Sequence, residues 1–385
     1  MPKQTNANDG GKGPKYRRIY AELRQALTIG TYGPDEKLPS EKEFVAKFGA
    51  SRPTIGRALA ELETEGLIER RPGSGTYVRS QNHREDLVFG LLIPELGLTE
   101  IFEPICQGIS QARLGGHHGL LWGPLFDPES RKEVQAKRLC DYYLEQSVSG
   151  IFFAPLELSD IKDDVNLQIV QLFDDAHIPI VLLDRDICEY PKRSKYDLVG
   201  IDNRRAGFVI TEHLLHCGSQ RILFFSRPYS APTVNQRILG YRDALRAYNN
   251  PGPEEPVAHG DPTDISAIRS MVASRSPDAI ICANDYTAAR LMTTLSAIGV
   301  RVPSEIRIAG MDDIKYASLL QSPLTTIHQP CTEIGVTALM AMLDRIAHPN
   351  APTRDFLVDF RLMIRQSSGA AIADEPNIRK HNLHE

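Results

Sequence analysis

No stretch of this sequence stays apolar for the ~20 residues that a bilayer-spanning helix requires. Its opening, MPKQTNANDGGKGPK, is polar and Gly-rich with no apolar core, so neither a secretory signal nor a membrane anchor is expected and the chain reads as cytoplasmic. Cysteine is sparse: six residues, at 106, 140, 188, 217, 282 and 331, with no C-x-x-C pair. That spacing fits buried free thiols in a reducing compartment rather than a disulfide frame or a metal site. A positive excess is missing too. The formal charge is −5, which excludes a protein that coats nucleic acid indiscriminately. The catalytic signatures are absent: no G-x-x-x-x-G-K-[ST] loop, no G-x-S-x-G elbow, no cofactor-lysine context and no metal-spaced histidine cluster. His117-His118 lies in a Gly-rich stretch and reads as a loop feature. An enzyme is not expected, nor a cofactor or a metal.

What is present is unevenly distributed. Residues 1–79 carry 14 Lys and Arg against 10 Asp and Glu, a net of +4, which leaves −9 on the remainder. A small basic head on an acidic body suits local DNA contact with little adhesion elsewhere. In the head, Tyr16, Ile19, Tyr20, Leu23 and Leu27 recur at helical spacing and stop at Gly30. Ser40 followed by Glu43 is a capping box that opens a second helix containing Phe44, Val45 and Phe48. After the Gly49-Ala50 turn, a third helix from about Ser51 to Gly66 places Ile55, Ala58, Leu59 and Leu62 on one face. Leu67–Arg71, a Pro-Gly-Ser-Gly turn and Thr76–Arg79 predict a two-stranded hairpin. Helix, helix-turn-helix and hairpin together predict a winged helix (α+β) over 15–79, with 1–14 disordered.

The third helix is the candidate recognition helix. Its core face leaves Arg52, Thr54 and Arg57 free to meet a groove, where arginine reads guanine bidentately and Ser or Thr hydroxyls hold phosphates. Arg70, Arg71 and the Gly73–Gly75 tip would bring the wing to the backbone or minor groove. The string LPSEKEFVAKFGASRPTIGRALAELETEGLIERRPGSGTYV resembles the winged-helix domain of the GntR family of bacterial regulators. The resemblance implies DNA contacts at Lys42, Arg52, Thr54 and Gly75; Ser40, Arg57 and Arg71 complete the candidate set. Where that family usually carries a basic residue after the apolar residue that follows the threonine, this chain has Gly56, with Arg57 next.

A polar stretch at 80–86 reads as a linker. Beyond it, short apolar strands alternate with amphipathic helical stretches: Val88–Ile93, Gly119–Trp122, Ile151–Ala154, Ile180–Leu183, Val199–Ile201, Ile222–Phe225, Ala279–Ala283 and Ile306–Gly310. Nearly continuous apolar strands separated by helices predict parallel sheets buried on both faces. The span is long for one sheet, so two α/β lobes are expected. Ligands of such sheets bind beyond the strands' carboxyl ends. There stand Asp184-Arg185, Asp202-Asn203, Asn284-Asp285 and Met311-Asp312. Asp, Asn and Arg grip vicinal hydroxyls because each presents paired acceptors or donors at fixed spacing. Phe102, placed in the loop after the first strand, and Tyr229 and Tyr286 are candidates to pack on a sugar ring. Each polar residue taken singly is equally a turn former or a helix cap.

The segments VGIDNRRAGFVITEHLLHCGSQRILFF, NQRILGYRDAL, AIICANDYTAARLM, IRIAGMDDIKYASLLQSPLTTIHQP and IGVTALMAMLDRI resemble the ligand-binding half of LacI-family repressors and the periplasmic sugar receptors. That resemblance covers 87–368. It implies lobe 1 at about 87–201 and 329–356, and lobe 2 at about 202–328 and 357–368. The lobes would be joined by three crossovers, near Asp202-Asn203, near His328-Gln329 and around Leu357–Arg361. It puts effector contacts on Asp184, Arg185, Asn203, Arg237, Asn284, Asp312 and Gln329, with Asp285 and Phe102 added here. The Asp-Arg pair resembles receptors for unmodified monosaccharides more than those for purines. In place of the family's Asn-Pro-Phe-Phe after strand one stands Leu98-Thr-Glu-Ile-Phe102, and the family's hinge helix is not evident in 79–86. The tail 369–385 reads as disordered.

The expectation is a sequence-specific homodimeric regulator on double-stranded operator DNA, a repressor of sugar-utilisation genes released by a monosaccharide. The alternatives are a regulator of the same architecture that answers a non-sugar small molecule, a transport receptor, and an enzyme using the cleft carboxylates. A transport receptor would need a signal peptide and has no use for a winged helix. The pairing of the carboxylates with Asn and Arg favours hydroxyl binding over acid–base chemistry.

Overall fold

The computed structural model describes residues 15–28, 31–33, 35–71, 73–78, 87–93, 100–112, 118–123, 130–253 and 256–370. The expected linker 80–86, the N-terminal 1–14, the tail beyond 370, Gly30, Leu98, Thr99 and His117 lie outside these residues.

The N-terminal unit holds α1 (Lys15–Thr28), α2 (Glu41–Phe48), α3 (Arg52–Thr64), β1 (Ile68–Arg71) and β2 (Gly75–Val78). The Ser40–Glu43 capping box forms in both directions, and Gly49 ends α2 in the left-handed region at φ 55°. A glycine there adopts αL without a Cβ penalty and so turns the chain sharply into α3. Ile19, Leu23, Phe44, Ile55, Leu59 and Leu62 pack into one core. Each was an apolar position of the helical pattern, and each full burial contributes about 1.5–3 kcal/mol. β1 and β2 pair antiparallel, with Ile68 opposite Val78 and Arg71 opposite Gly75. The hairpin gains an unanticipated third edge. Lys37 bridges to Tyr77, the Leu38 amide donates to the Thr76 carbonyl (2.9 Å) and the Val78 amide to the Glu36 carbonyl (2.9 Å).

The large unit contains two six-stranded sheets. The first uses β3 (Leu87–Leu92), β4 (His118–Leu121), β5 (Gly150–Phe153), β6 (Ile180–Leu183), β7 (Asp197–Gly200) and β13 (Asp355–Leu357) in the order β13-β7-β6-β5-β3-β4. The second uses β8 (Ile222–Ser226), β9 (Val257–His259), β10 (Ala279–Cys282), β11 (Arg307–Asp312), β12 (Thr325–His328) and β14 (Arg361–Met363) in the order β14-β12-β11-β10-β8-β9. Strands β3, β5, β6, β7 and β13 run parallel, as do β8 to β12, whereas β14 runs antiparallel to β12. The connecting helices are α4 (Phe102–Gln111), α5 (Lys132–Glu145), α6 (Lys162–Asp175), α7 (Asn203–His216), α8 (Pro232–Ala247), α9 (Ile265–Arg275), α10 (Asp285–Ala297) and α11 (Cys331–Ala347). Strands β5, β6 and β10 are buried at every residue, the pattern of a sheet covered on both faces. The large unit has the expected two-lobed parallel α/β architecture, and the N-terminal unit is the expected winged helix.

The chain leaves the first sheet after β7, returns from the second after β12 into α11, and passes once more between β13 and β14. Helix α11 packs on α4 so closely that a Cβ on Gly108 would lie 2.2 Å from the Thr332 carbonyl oxygen. In the other lobe a Cβ on Gly240 would lie 1.8 Å from the Arg204 carbonyl oxygen, which fixes the approach of α8 to α7.

Several local expectations need correction. Phe102 opens α4 rather than lying in a loop, because Ile101–Ile109 already repeat at helical spacing. His118 starts β4 rather than forming a turn. Met311 and Asp312 lie inside β11, and the fifth strand of the sequence pattern is Asp197–Gly200 rather than 199–201. Strand β9, three residues long, was not anticipated.

Candidate functional site

The site in the body grows from the carboxyl ends of the two sheets. After β6 the backbone turns through Asp184 at φ 67°, in the left-handed region, with its amide donating to the Val199 carbonyl (2.8 Å). A non-glycine residue held there carries local strain, and such residues concentrate at functional sites. Asp184 is 5% exposed, and its Oδ1 has no hydrogen-bond partner. The neighbouring Arg185 has a side chain 4% exposed, and its Nη1 lies 2.5 Å from Glu157 Oε1. Arg185 Nε is 3.2 Å from Asp184 Oδ2 but not aligned to donate to it, so Nε too is unpartnered. The Arg185 guanidinium stands over the Phe102 ring at 5.4 Å. Phe102 is buried, so its ring holds the guanidinium from one side through a cation–π contact.

From the second lobe comes Arg237, presented by α8. Its Nε donates to Asn203 Oδ1 (2.7 Å), its Nη1 to the Ala283 carbonyl (2.6 Å), and its Nη2 lies 3.8 Å from Asp312 Oδ1. Gln329 Nε2 donates to the same Asp312 oxygen (2.8 Å), and Asn203 Nδ2 to the Ile201 carbonyl (3.2 Å). Burial and the nearby Asp184 push the Asp312 carboxyl up to about 7, although Arg237 and Gln329 pull the other way. The structure therefore joins Asp184 and Arg185 on one side to Asn203, Arg237, Asp312 and Gln329 on the other, within electrostatic reach of one another.

Two candidates behave otherwise. Asn284 caps α10, its side chain accepting from the Thr287 amide (2.9 Å). Asp285 is wholly buried; its oxygens accept from the Thr326 hydroxyl (2.7 Å) and the Ile314 amide (3.2 Å). Burial holds its carboxyl well above the usual range, and both oxygens serve the framework of β11 and β12. Tyr229 and Tyr286 are about half exposed.

One residue escaped the sequence reading. Glu157, in the Pro155-Leu156-Glu157 segment after β5, pairs with Arg185, and its Oε2 accepts from the Ala231 amide at the start of α8 (3.1 Å). It therefore bridges the lobes. The Leu158 amide donates to the Tyr229 carbonyl (2.6 Å) and Asn235 to Glu189 (2.8 Å), so the lobes also touch beside it. A search for polar residues a few positions beyond every strand, rather than immediately after it, would have found Glu157.

The head presents a different chemistry. Arg52 is 81% exposed and pairs with Glu41 (2.9 Å), which ties α3 to α2. Thr54 shares a hydrogen bond with the Ser51 hydroxyl (2.7 Å), and Ser40 is occupied by its capping box. Arg57 stacks on Tyr16 at 4.0 Å, and Arg71 on Tyr77 at 4.5 Å. Lys42 is exposed on α2. Gly75, at φ 130°, receives the Lys37 stem so closely that a Cβ would lie 2.7 Å from Lys37 Cε. Arg70, expected at the wing, turns back instead. It donates to the Gly56 carbonyl (3.2 Å) and pairs with Glu63 (3.4 Å), which locks the hairpin to α3.

An exposed helix-turn-helix with a basic wing, and a cluster of buried polar and charged side chains at the carboxyl ends of two parallel sheets, define the class: a DNA-binding transcriptional regulator with a ligand-binding body. The comparisons agree. Residues 15–78 match the bacterial regulatory proteins of the gntR family, and 211–368 match the periplasmic binding protein-like domain. The chain thus joins a GntR-type helix-turn-helix domain to a LacI-type periplasmic-binding-protein-like domain. It is 26% identical over 368 residues to the arabinose metabolism transcriptional repressor of Geobacillus stearothermophilus, covering 92% of this chain and 98% of that one. It is 28% identical over 328 residues to the HTH-type transcriptional regulator CelR of Thermobifida fusca, covering 83% and 89%. Among solved structures, the fold resembles that of a CelR–cellobiose complex, with a TM-score of 0.60, 24% identity, and 82% and 90% of the two chains covered. No described helix is long and apolar enough to cross a membrane.

Proposed function

We propose that this chain is a cytoplasmic repressor of sugar-utilisation genes that leaves its operator when a monosaccharide occupies the cleft of the body. The observation that carries this reading is the buried pair Asp184–Arg185 with an unpartnered acceptor beside an unpartnered donor. A vicinal diol supplies the complement: one hydroxyl donates to Asp184 Oδ1 and its neighbour accepts from Arg185 Nε. Asn203, Arg237, Asp312 and Gln329 would line the facing lobe, with Phe102 behind the guanidinium rather than against the sugar. A relative named for arabinose metabolism puts pentoses first among the ligands to try. The name of a cellobiose complex adds a disaccharide to the panel.

In this reading a homodimer sets two α3 helices in successive major grooves of a palindromic operator, with Lys42, Arg52, Thr54 and Arg57 at the DNA and Arg71, Gly75 and Lys37 at the wing. Closing the lobes on the sugar changes how the heads are spaced. Release requires that the sugar favour the non-binding state by a few kcal/mol. A thermal-shift screen of pentoses, hexoses and cellobiose tests the sensor. A ligand of the folded state raises Tm by mass action, and the expected result is a rise with one neutral sugar that disappears in Asp184→Ala. No rise with any sugar would overturn the assignment of the cleft.

A further inference from the structure

Arg185 has two carboxylate neighbours, and they differ in what they leave open. Asp184 keeps Oδ1 unpartnered. Glu157, with a side chain 18% exposed, has both oxygens engaged: one faces Arg185 Nη1 at 2.5 Å and the other accepts from the Ala231 amide at 3.1 Å. Both Glu157 oxygens are thus already committed within the protein, and the carboxylate serves as a counter-charge to Arg185. Burial raises its carboxyl, yet the charge and hydrogen bond of Arg185 outweigh this and hold it below the usual range, so it is ionised at neutral pH. The second guanidinium is likewise occupied, by Asn203, the Ala283 carbonyl and Asp312.

An anionic ligand at the Asp184–Arg185 pair would find the Arg185 and Arg237 guanidiniums already paired with carboxylates, and it would meet the free oxygen of Asp184 at close range. Like charges juxtaposed in a desolvated site cost several kcal/mol and reject the wrong partner. A hydroxylated neutral ligand meets no such opposition. We propose that Glu157 is a specificity-determining residue that neutralises Arg185 from within the protein and so confines the effector to uncharged sugars, excluding sugar acids and sugar phosphates. This rests on the reading of the body as a sugar sensor.

The test compares neutral and anionic partners of one skeleton, galactose against galacturonate and arabinose against arabinose 5-phosphate, by calorimetry on the full chain. Wild type is expected to bind the neutral member at least about a hundredfold more tightly. Glu157→Gln keeps the shape, removes the charge and leaves Arg185 available; the ratio should fall by about tenfold or more, through tighter binding of the anion. Glu157→Ala is measured alongside. Both variants remove the charge, but only the alanine also removes the Ala231 contact, so a ratio relaxed in both assigns the effect to charge. A ratio unmoved in whichever variant folds, or a wild type that takes the anion as well as the neutral sugar, overturns the proposal. Wild type that binds neither member of either pair, nor any other sugar, overturns instead the sensor reading on which it rests.

Discussion

In the head, Arg52 and Arg24 stand in solvent: their side chains are 81% and 56% exposed, each paired with an acidic neighbour. In the body, the side chains of Arg185 and Arg237 are each 4% exposed, enclosed by carboxylates, a carbonyl and an amide. In the proposed function the same side chain does two kinds of recognition. An exposed ion pair is worth about 0–1 kcal/mol, so Arg52 can exchange Glu41 for a phosphate or a base at little cost. Its attraction reaches about 8–10 Å and fades with salt. A buried guanidinium cannot be repartnered so cheaply, since losing one partner leaves an uncompensated charge. In the proposed sensor it would hold a fixed pattern of donors and acceptors against which a small ligand is matched atom by atom.

The largest expected effect comes from breaking the buried side of this comparison. Arg237→Ala removes the bonds to Asn203 and the Ala283 carbonyl and unbalances Asp312. Denaturant unfolding should show a loss of about 3–5 kcal/mol, with no remaining sugar response; a loss below about 1 kcal/mol would mean that Arg237 behaves like a surface residue.

Next is the pH dependence. Asp312 titrates near 7 in the folded chain against an ordinary 3.8. A carboxyl raised on folding retains a proton that the unfolded chain has already released. Its contribution to stability is therefore full below about pH 4 and lost as the pH climbs through about 7. Asp312→Asn should gain about 3 kcal/mol on wild type between pH 5 and pH 8, while Asp285, also raised by burial, keeps a residual slope in both. Parallel stability curves for the two proteins would show that Asp312 is ionised throughout.

The exposed side responds to a different readout. Arg52→Ala should weaken operator binding by about 1–3 kcal/mol and, where it holds phosphate, lower the salt slope by about one. Its unfolding free energy should move by less than about 0.5 kcal/mol. A large stability loss with DNA binding intact would place Arg52 in the framework. The smallest effect is expected for Ser40→Ala, which removes the capping box of α2 and should cost about 1 kcal/mol of head stability, read as the midpoint of its unfolding.

The fold was legible because burial is periodic: every core residue of α3 follows from a spacing of three and four, and the fully apolar strands announce parallel sheets. The site was legible only in residue type. Strand-end chemistry selects Asp, Asn and Arg, but it does not say where a carboxylate points. Asp285 looked like a hydroxyl ligand until Thr326, 41 residues away in sequence, was seen to hold it. Asn284 proved to be a helix cap, the ordinary role of asparagine at that place. Glu157 was passed over because it stands four residues beyond its strand, and its meaning depends on Arg185 and on the Ala231 amide of the facing lobe.

The central claim is a coupling between the two chemistries, and equilibrium binding to DNA tests it most directly. The full chain is titrated onto DNA from upstream of its own gene, at fixed salt, with and without a saturating neutral sugar that has raised its Tm. The account predicts at least about a tenfold loss of DNA affinity with the sugar, and none in Arg237→Ala. An affinity unchanged by a sugar that demonstrably binds would contradict it, because a ligand indifferent to the two states shifts nothing.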